Sequence, residues 1–132
     1  MDFEKQIAAF AKKANESIDE TIRGVTIKLF SAVILSTPVK TGRARANWQI
    51  SNEKPANGTV DGLDYSGGST VNYMSEFVAQ DADGRVFTLT NNLPYVYRLE
   101  YGWSKTQAPS GMVRVNVSRF ESILEEQARL NK

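Results

Sequence analysis

A chain of 132 residues suits one compact domain, and its 41% hydrophobic and 23% charged residues are ordinary for a globular protein. Sixteen basic against fifteen acidic residues give a formal net charge of +1, without the clustered basic excess that a dedicated duplex-DNA binder needs. The chain has neither cysteine nor histidine, which removes disulfides, thiolate metal sites and the commonest general base near neutral pH. We therefore expect no enzymatic activity and no cofactor or metal ion.

The first predicted element is a long amphipathic helix over Phe3–Ser36. Its apolar residues recur at steps of three and four, namely Phe3, Ile7, Phe10, Ala14, Ile18, Ile22, Val25, Leu29 and Val33. Ser17–Glu20 also matches a capping box, so the segment is either one helix or two helices broken near Asn15. Thr37-Pro38 ends it, because the residue before a proline is pushed out of the helical region. Residues 1–16 pack within the domain or extend to a neighbouring subunit, and the rest of the stripe is expected to be core.

Two short elements and a loop are predicted next. Val39–Asn47 reads as a basic turn or short helix, and Trp48–Ser51 alternates like a strand. Glu53–Gly68 is polar and contains four of the nine glycines, which is typical of a loop. Within that loop, Thr59–Leu63 is a candidate for a second short strand.

A helix over Val71–Gln80 and a strand over Arg85–Thr90 follow. Ser69 or Thr70 is the expected cap of the helix. The two glycines that precede Ser69 could also expose N–H groups to an anion, but no lysine follows to complete a phosphate loop. Ordinary capping is therefore the preferred interpretation.

The last third of the chain contains two more predicted helices. Leu93–Tyr101 is a short aromatic helix, and Gly102–Gly111 is a loop. A C-terminal helix is expected from about Met112 to Leu130, with a stripe formed by Val113, Val117, Phe120 and Leu124. Together these elements predict one α+β domain with a long N-terminal helix, a small and mostly antiparallel sheet, short central helices and a C-terminal helix.

No catalytic motif is complete in this sequence. Gly102–Thr106 begins like the nucleophile elbow of a hydrolase, but Thr106 replaces the closing glycine and there is no histidine to complete a triad. Glu53, Glu76 and Glu100 show no spacing that selects a pair of acid and base. These patterns strengthen the expectation that the chain is not an enzyme.

The one local basic cluster consists of Lys40, Arg43 and Arg45, close to Trp48. A solvated or internally paired face is the default interpretation. The alternatives are contact with an acidic surface of a partner protein, or a nucleic-acid-binding module in which basic residues and an aromatic ring hold a strand.

Two stretches resemble a known family. They are Thr37–Trp48 (TPVKTGRARANW) and Asn91–Gly102 (NNLPYVYRLEYG), the second continuing through Met112. In this order, and after a long N-terminal helix, they are similar to the tail-completion proteins of long-tailed bacteriophages. Those proteins are also described as neck, minor tail or head–tail joining proteins and include the lambda Z-like proteins. The family usually has an acidic residue where this chain has Lys40, which leaves Thr41 as a weaker helix cap.

The resemblance implies a structural virion protein that forms a ring at the phage neck or tail end, with six subunits as the expected number. Such a ring completes the tail and joins it to the DNA-filled head, between head connector or stopper proteins and tail tube or terminator proteins. Phage DNA would pass through the lumen without specific binding, and no membrane is involved. The protein would be made in the host cytoplasm and reside in the virion. A tail terminator that caps the tube is the closest alternative function.

The resemblance and the residue types also suggest which side chains form interfaces. The expected interface residues are Arg43, Arg45, Trp48, Tyr95, Tyr97, Arg98, Glu100, Tyr101 and Trp103, because tyrosine, tryptophan and arginine are enriched at protein interfaces. Arg43 or Arg98 is expected to pair with Glu100, within a subunit or between subunits. The loops Glu53–Gly68 and Gly102–Gly111 are the expected contacts with adjoining rings.

Overall fold

A computed structural model describes residues 3–81, 86–101 and 111–131. The described chain has an α+β fold, as the sequence predicts. Its elements are α1 (Phe3–Ser36), α2 (Arg43–Ala46), β1 (Gln49–Ser51), α3 (Gly68–Gln80), β2 (Thr88–Thr90), α4 (Val96–Glu100), α5 (Val113–Val117) and α6 (Phe120–Leu130). None of the helices in the described ranges has the length and apolar character needed to cross a bilayer.

Helix α1 is continuous through Asn15, so the alternative of two helices broken there is wrong. Its 34 residues give a length of roughly 50 Å at 1.5 Å per residue. The helix ends at the predicted place, where Thr37 precedes Pro38. The Thr37 hydroxyl donates a hydrogen bond to the Val33 carbonyl at 2.8 Å and thereby satisfies one of the last helical acceptors.

The core lies between the second half of α1, helix α3 and the two-stranded sheet. Its buried centre consists of Ile34, Ile50, Met74 and Val78. Partly buried apolar side chains surround this centre, among them Ile27, Phe30, Trp48, Val71, Phe77, Phe87 and Leu89. The sheet pairs β1 with β2 in antiparallel register, with Ile50 opposite Leu89.

Residues 59–63 do not form the second strand that their sequence suggested. The N–H of Val60 donates to Oδ1 of Asn47 at 2.8 Å, and the Val60 carbonyl accepts from Nδ2 of Asn47 at 3.1 Å. A buried side-chain amide therefore satisfies the backbone groups that a strand neighbour would otherwise bind. Residues 59–63 are therefore a loop, which is hydrogen-bonded to Asn47 directly after the end of α2.

The predicted C-terminal helix is divided into α5 and α6 by a turn at Ser118 and Arg119. Its buried face consists of Met112, Asn116 and Ile123. Of the predicted apolar stripe, Val113 is half-buried, whereas Val117, Phe120 and Leu124 are exposed. The buried residues keep a helical spacing of four and seven positions but lie one position before the predicted stripe. The stripe was misassigned because this face includes the polar Asn116, whose side-chain amide donates to the Ser36 hydroxyl and the Met112 carbonyl.

Helix α6 runs antiparallel to the second half of α1. The Nζ atom of Lys28 lies 2.8 Å from the Glu126 carboxylate, and the hydroxyl of Ser17 donates to the Asn131 carbonyl. Asn131, just after the end of α6, therefore lies beside Ser17, near the middle of α1. The earlier turns of α1 extend past the end of α6.

Candidate functional site

The two segments that resemble the phage family meet in space. Nδ2 of Asn91 donates to the Ala44 carbonyl at 2.9 Å, although the two residues are 47 positions apart. Between the segments lies a groove with a cavity volume of about 410 Å³, here called the motif groove. It is lined by Pro38, Val39, Lys40, Thr41, Gly42, Arg43, Ala44, Tyr95, Arg98 and Leu99.

The motif groove is positively charged. Lys40, Arg43 and Arg98 line it, and its ten lining residues include no aspartate or glutamate. All three cationic side chains are exposed, and Tyr95 adds a partly exposed aromatic ring. Apolar and aromatic surface with several cations around it is suited to binding an acidic partner.

Gly42 shapes one wall of this groove. It is buried and adopts a φ of 91°, and a Cβ atom there would lie 2.5 Å from the backbone nitrogen of Tyr65. Only glycine fits this combination of left-handed backbone and close approach. The N-cap residue of the short helix α2 is Gly42 and not Thr41, whose hydroxyl accepts a long, 3.3 Å hydrogen bond from the Arg43 N–H.

Arg45 and Trp48, two of the expected interface residues, are held within the fold. The Arg45 guanidinium donates to the carbonyls of Leu35, Thr37 and Tyr65 at 2.8 to 3.0 Å. Two of these carbonyls belong to the end of α1 and the residue after it, so Arg45 closes that helix end. Nε1 of Trp48 donates to the Thr37 hydroxyl at 2.8 Å while the ring packs against the core. Both residues therefore have structural roles.

Within one subunit, Glu100 has a different partner from the one predicted, and the alternative of a pair between subunits stays a prediction. Instead of Arg43 or Arg98, Arg114 forms the ion pair, with Nε 2.9 Å from the carboxylate. The carboxylate also accepts the backbone N–H groups of residues 112, 113 and 114 at 2.7 to 2.9 Å, which cap α5. Arg114 was missed because a sequence gives no sign of which cation faces a carboxylate fourteen positions away.

The environment of Glu100 favours its ionised form. Its side chain is only 12% exposed, and burial raises the pKa of the carboxyl. Hydrogen bonds from the N–H groups of Val113 and Arg114, from the Arg114 side chain and from the Met112 N–H outweigh that effect. The pKa of Glu100 therefore lies below its ordinary value.

Three of the expected interface aromatics lie on or beside helix α4. The ring centroids of Tyr97 and Tyr101 are 4.5 Å apart, and the guanidinium carbon of Arg114 lies 4.4 Å from the Tyr101 centroid. Tyr97 is 69% exposed and Tyr101 is 55% exposed, so this stack presents aromatic surface to solvent. Tyr95, at the start of the same helix, belongs to the motif groove. Trp103 and the predicted loop at 102–110 lie outside the described residues.

The carboxylate of Asp64 lies at the N-terminus of α3 and accepts hydrogen bonds there. The Asp64 carboxylate accepts the N–H of Gly67 at 3.0 Å, and the N–H and hydroxyl of Thr70 at 2.8 and 2.7 Å. Burial raises the pKa of Asp64, but the hydrogen bonds from Thr70 and Gly67 and the charge of Arg45 leave it below the ordinary value. The helix is thus capped by Asp64 and not by Ser69 or Thr70 as predicted.

The candidate site is therefore a binding surface made of the motif groove and the neighbouring tyrosine stack. Within the described ranges, no group of three or more aspartate or glutamate side chains is placed to hold a metal ion. Comparison with family models, with curated proteins and with solved structures finds no match to this chain.

Proposed function

We propose that this chain is a structural subunit of a long-tailed phage virion. It assembles into a ring, with six subunits as the expected number, that completes the tail and joins it to the head. One observation carries the proposal: the two sequence segments that resemble tail-completion proteins come together and line the same groove. Two segments that serve the same function are expected to form one surface. The hydrogen bond from the Asn91 side chain to the Ala44 carbonyl holds these two segments together.

The motif groove is the surface we assign to contact with an adjoining ring protein. Lys40 and Arg43 are exposed at its rim, beside Tyr95. Charge complementarity at an interface orients partners and rejects wrong ones, so a ring with an acidic rim is the expected partner. The tyrosine stack lies on a different face of α4 from Tyr95, Arg98 and Leu99, and it adds a second exposed surface that suits protein contacts.

Two alternative functions compete with head–tail joining. The alternative of a nucleic-acid-binding module would use Lys40, Arg43, Arg45 and Trp48, but the last two donate their polar groups to the chain itself. The remaining cations are too few to supply the phosphate contacts that such binding needs, and salt-dependent affinity for single-stranded DNA would be the sign of it. A tail terminator differs from a joining protein in its mutant phenotype.

A stop codon in place of the Trp48 codon of the encoding genome tests the proposal by electron microscopy of lysates. Full heads beside separate tails of normal length are the expected result for a joining protein. Tails of uncontrolled length would reassign the protein as a terminator. Intact infectious particles would overturn a virion role altogether.

Complementation of that mutant tests the motif groove. A double variant, Lys40→Glu with Arg43→Glu, is expected to fold normally but to leave heads and tails unjoined, because an acidic partner would now be repelled. Lys54→Glu is the matched control, since it reverses an exposed charge outside the groove. If the double variant restores infectivity as well as the control does, the groove is not the docking surface.

A further inference from the structure

The first turns of α1 project beyond the other described elements of the chain. Residues 4–16 are exposed almost without interruption, and α6 ends opposite Ser17. The segment from residue 3 to residue 16, here called the overhang, extends roughly 20 Å at 1.5 Å per residue. It carries large apolar side chains into solvent, because Ile7 is 53% exposed and Phe10 is 75% exposed.

A second apolar surface lies next to residue 16, where the overhang joins the rest of the domain. A groove between α1 and α6, with a volume of about 340 Å³, is lined mainly by Ile18, Thr21, Ile22, Leu124 and Ala128. It is here called the α1–α6 groove. Ile18 is 48% exposed and Leu124 is 39% exposed. Two helices with an open apolar seam between them can accept a third helix along that seam.

The overhang cannot fill the groove of its own chain. Helix α1 is continuous from Phe3 to Ser36, so residues 3–16 continue the line of the helix and point away from the seam beside Ile18. Folding back would require breaking the helix. The helix that fits the seam must therefore come from another molecule.

The charges of the two surfaces identify that molecule. Lys5, Lys12 and Lys13 are the charged residues of the stretch 5–13, which has no carboxylate. The stretch 120–126 of α6 has the opposite pattern, with three glutamates and no cation. Glu121 and Glu125 are exposed one helical turn apart, on the side of α6 next to Leu124. The overhang as a whole also contains Glu4 and Glu16 and has a net charge of +1, so its positive charge is concentrated in residues 5–13. The residues that line the α1–α6 groove are uncharged; the exposed Glu121 and Glu125 flank it on α6, whereas Glu126 is paired with Lys28 of its own chain.

We propose that the overhang of one copy of this chain docks as a helix in the α1–α6 groove of a second copy. Ile7, Phe10 and Ala14 repeat at three and four positions, the spacing of anchors on a helix that lies in a groove. In this arrangement Ile7 and Phe10 cover Ile18 and Leu124 of the second copy, while the overhang lysines face its glutamates. The contact holds copies together, which a ring requires, and it does not depend on the location of that ring.

Variants on the two surfaces test the proposal through the mass of the full chain in solution, measured by sedimentation velocity up to roughly 100 µM. The wild type is expected to form species heavier than its 14.7 kDa monomer. Phe10→Asp on the overhang and Leu124→Glu in the groove should each weaken association at least tenfold. Leu63→Asp is the control, because Leu63 is 66% exposed and belongs neither to the overhang nor to the α1–α6 groove.

A mixture of the two defective variants separates lost docking from misfolding. The Phe10→Asp chain keeps an intact groove, and the Leu124→Glu chain keeps an intact overhang. Mixed together they should form pairs, whereas each alone stays monomeric. Charge exchange gives a second check: Glu121→Lys with Glu125→Lys should weaken association, and adding Lys12→Glu with Lys13→Glu to the same chain should restore it.

Three results would overturn the proposal: a monomeric wild type at the highest concentration, an unchanged mass of both surface variants, or an equal loss in the Leu63→Asp control. These outcomes are separate from the test of the virion role. A monomeric chain whose stop-codon mutant still yields unjoined heads and tails would retain the proposed function and lose this contact. A self-associating chain whose mutant is fully infectious would do the reverse.

Discussion

The carboxylate of Glu100 lies 2.9 Å from Nε of Arg114, and this ion pair joins the end of α4 to the first turn of α5. The Arg114 guanidinium also donates a hydrogen bond to the Glu100 backbone carbonyl. Gly111 makes the approach possible, since a Cβ there would lie 2.6 Å from that same carbonyl oxygen. The exposed tyrosine stack rests on this junction, because the Arg114 guanidinium also covers the Tyr101 ring.

Replacing Glu100 with glutamine should lower the free energy of unfolding by about 1–2 kcal/mol. The amide keeps the size of the side chain but loses the ion pair and one of the oxygens that cap α5. Urea denaturation monitored by circular dichroism measures the change. Glu53→Gln, at an exposed site, should stay within about 0.5 kcal/mol of the wild type. Equal stability of the two variants would contradict the capping role.

The stability of the protein should fall as the pH drops below roughly 4, the ordinary range for carboxyl groups. The pKa values of Asp64 and Glu100 are both lowered in the folded chain, so at acidic pH the unfolded chain binds protons first. Their stabilising effect is complete above the unfolded-state pKa and is lost as the pH falls through the folded-state pKa. Denaturation series at pH 6, 5, 4 and 3 should show a shallower loss in Glu100→Gln. A slope equal to that of the wild type would exclude Glu100 as a contributor.

Arg45 should be required for stability even in its conservative form. Arg45→Lys is expected to cost about 1–2 kcal/mol, because a single ammonium group cannot span the three carbonyls that the guanidinium binds. Thermal unfolding measures the effect, and Arg43→Lys on the exposed side of α2 is the control. If both substitutions lower the melting temperature equally, Arg45 does not close the end of α1.

Two glycines with positive φ should respond differently to alanine. Gly42→Ala should destabilise the chain by about 3 kcal/mol or more, since the new methyl group meets the backbone of Tyr65 at 2.5 Å. Gly58 has a φ of 76° but open space around its Cβ position, so Gly58→Ala should cost only about 1 kcal/mol of backbone strain. The difference between the two melting temperatures isolates the steric part. A similar loss in both variants would mean that Tyr65 does not press against Gly42.

The elements that could be predicted are those determined by local pattern. Helix α1 follows from apolar residues at steps of three and four, and its end follows from the proline after Thr37. Strands β1 and β2 lie within the predicted ranges, because alternation over a few residues is also a local property. The same holds for α3 and α4, although their first residues differ from the prediction by a few positions.

The parts that could not be predicted depend on contacts between distant residues. The Glu100 carboxylate caps α5, and the Asn47 side chain replaces a strand neighbour for Val60. Neither contact leaves a periodic signal in the sequence. The basic cluster illustrates the same limit, since Arg43 faces the motif groove while Arg45, two positions later, is bound to carbonyls of the fold.

Asn47 provides the sharpest test of such a contact. It is fully buried, and its amide nitrogen donates to the carbonyls of Arg43 and Val60 while its oxygen accepts the Val60 N–H. Asn47→Asp keeps the shape but places a carboxylate against two carbonyls, which should destabilise the chain by about 3 kcal/mol or more at pH 7. Asn57→Asp, at an exposed position, is the control.

The pH dependence of this variant should oppose that of the wild-type carboxylates. Burial against carbonyls raises the pKa of the introduced aspartic acid in the folded chain, so its cost grows as the pH rises above roughly 4. Below that pH the protonated acid can donate one hydrogen bond, and the gap in unfolding free energy between the variant and the wild type should narrow. Paired urea titrations at pH 4 and pH 7 measure that gap. A gap that is the same at both pH values would show that residue 47 does not donate to buried carbonyls.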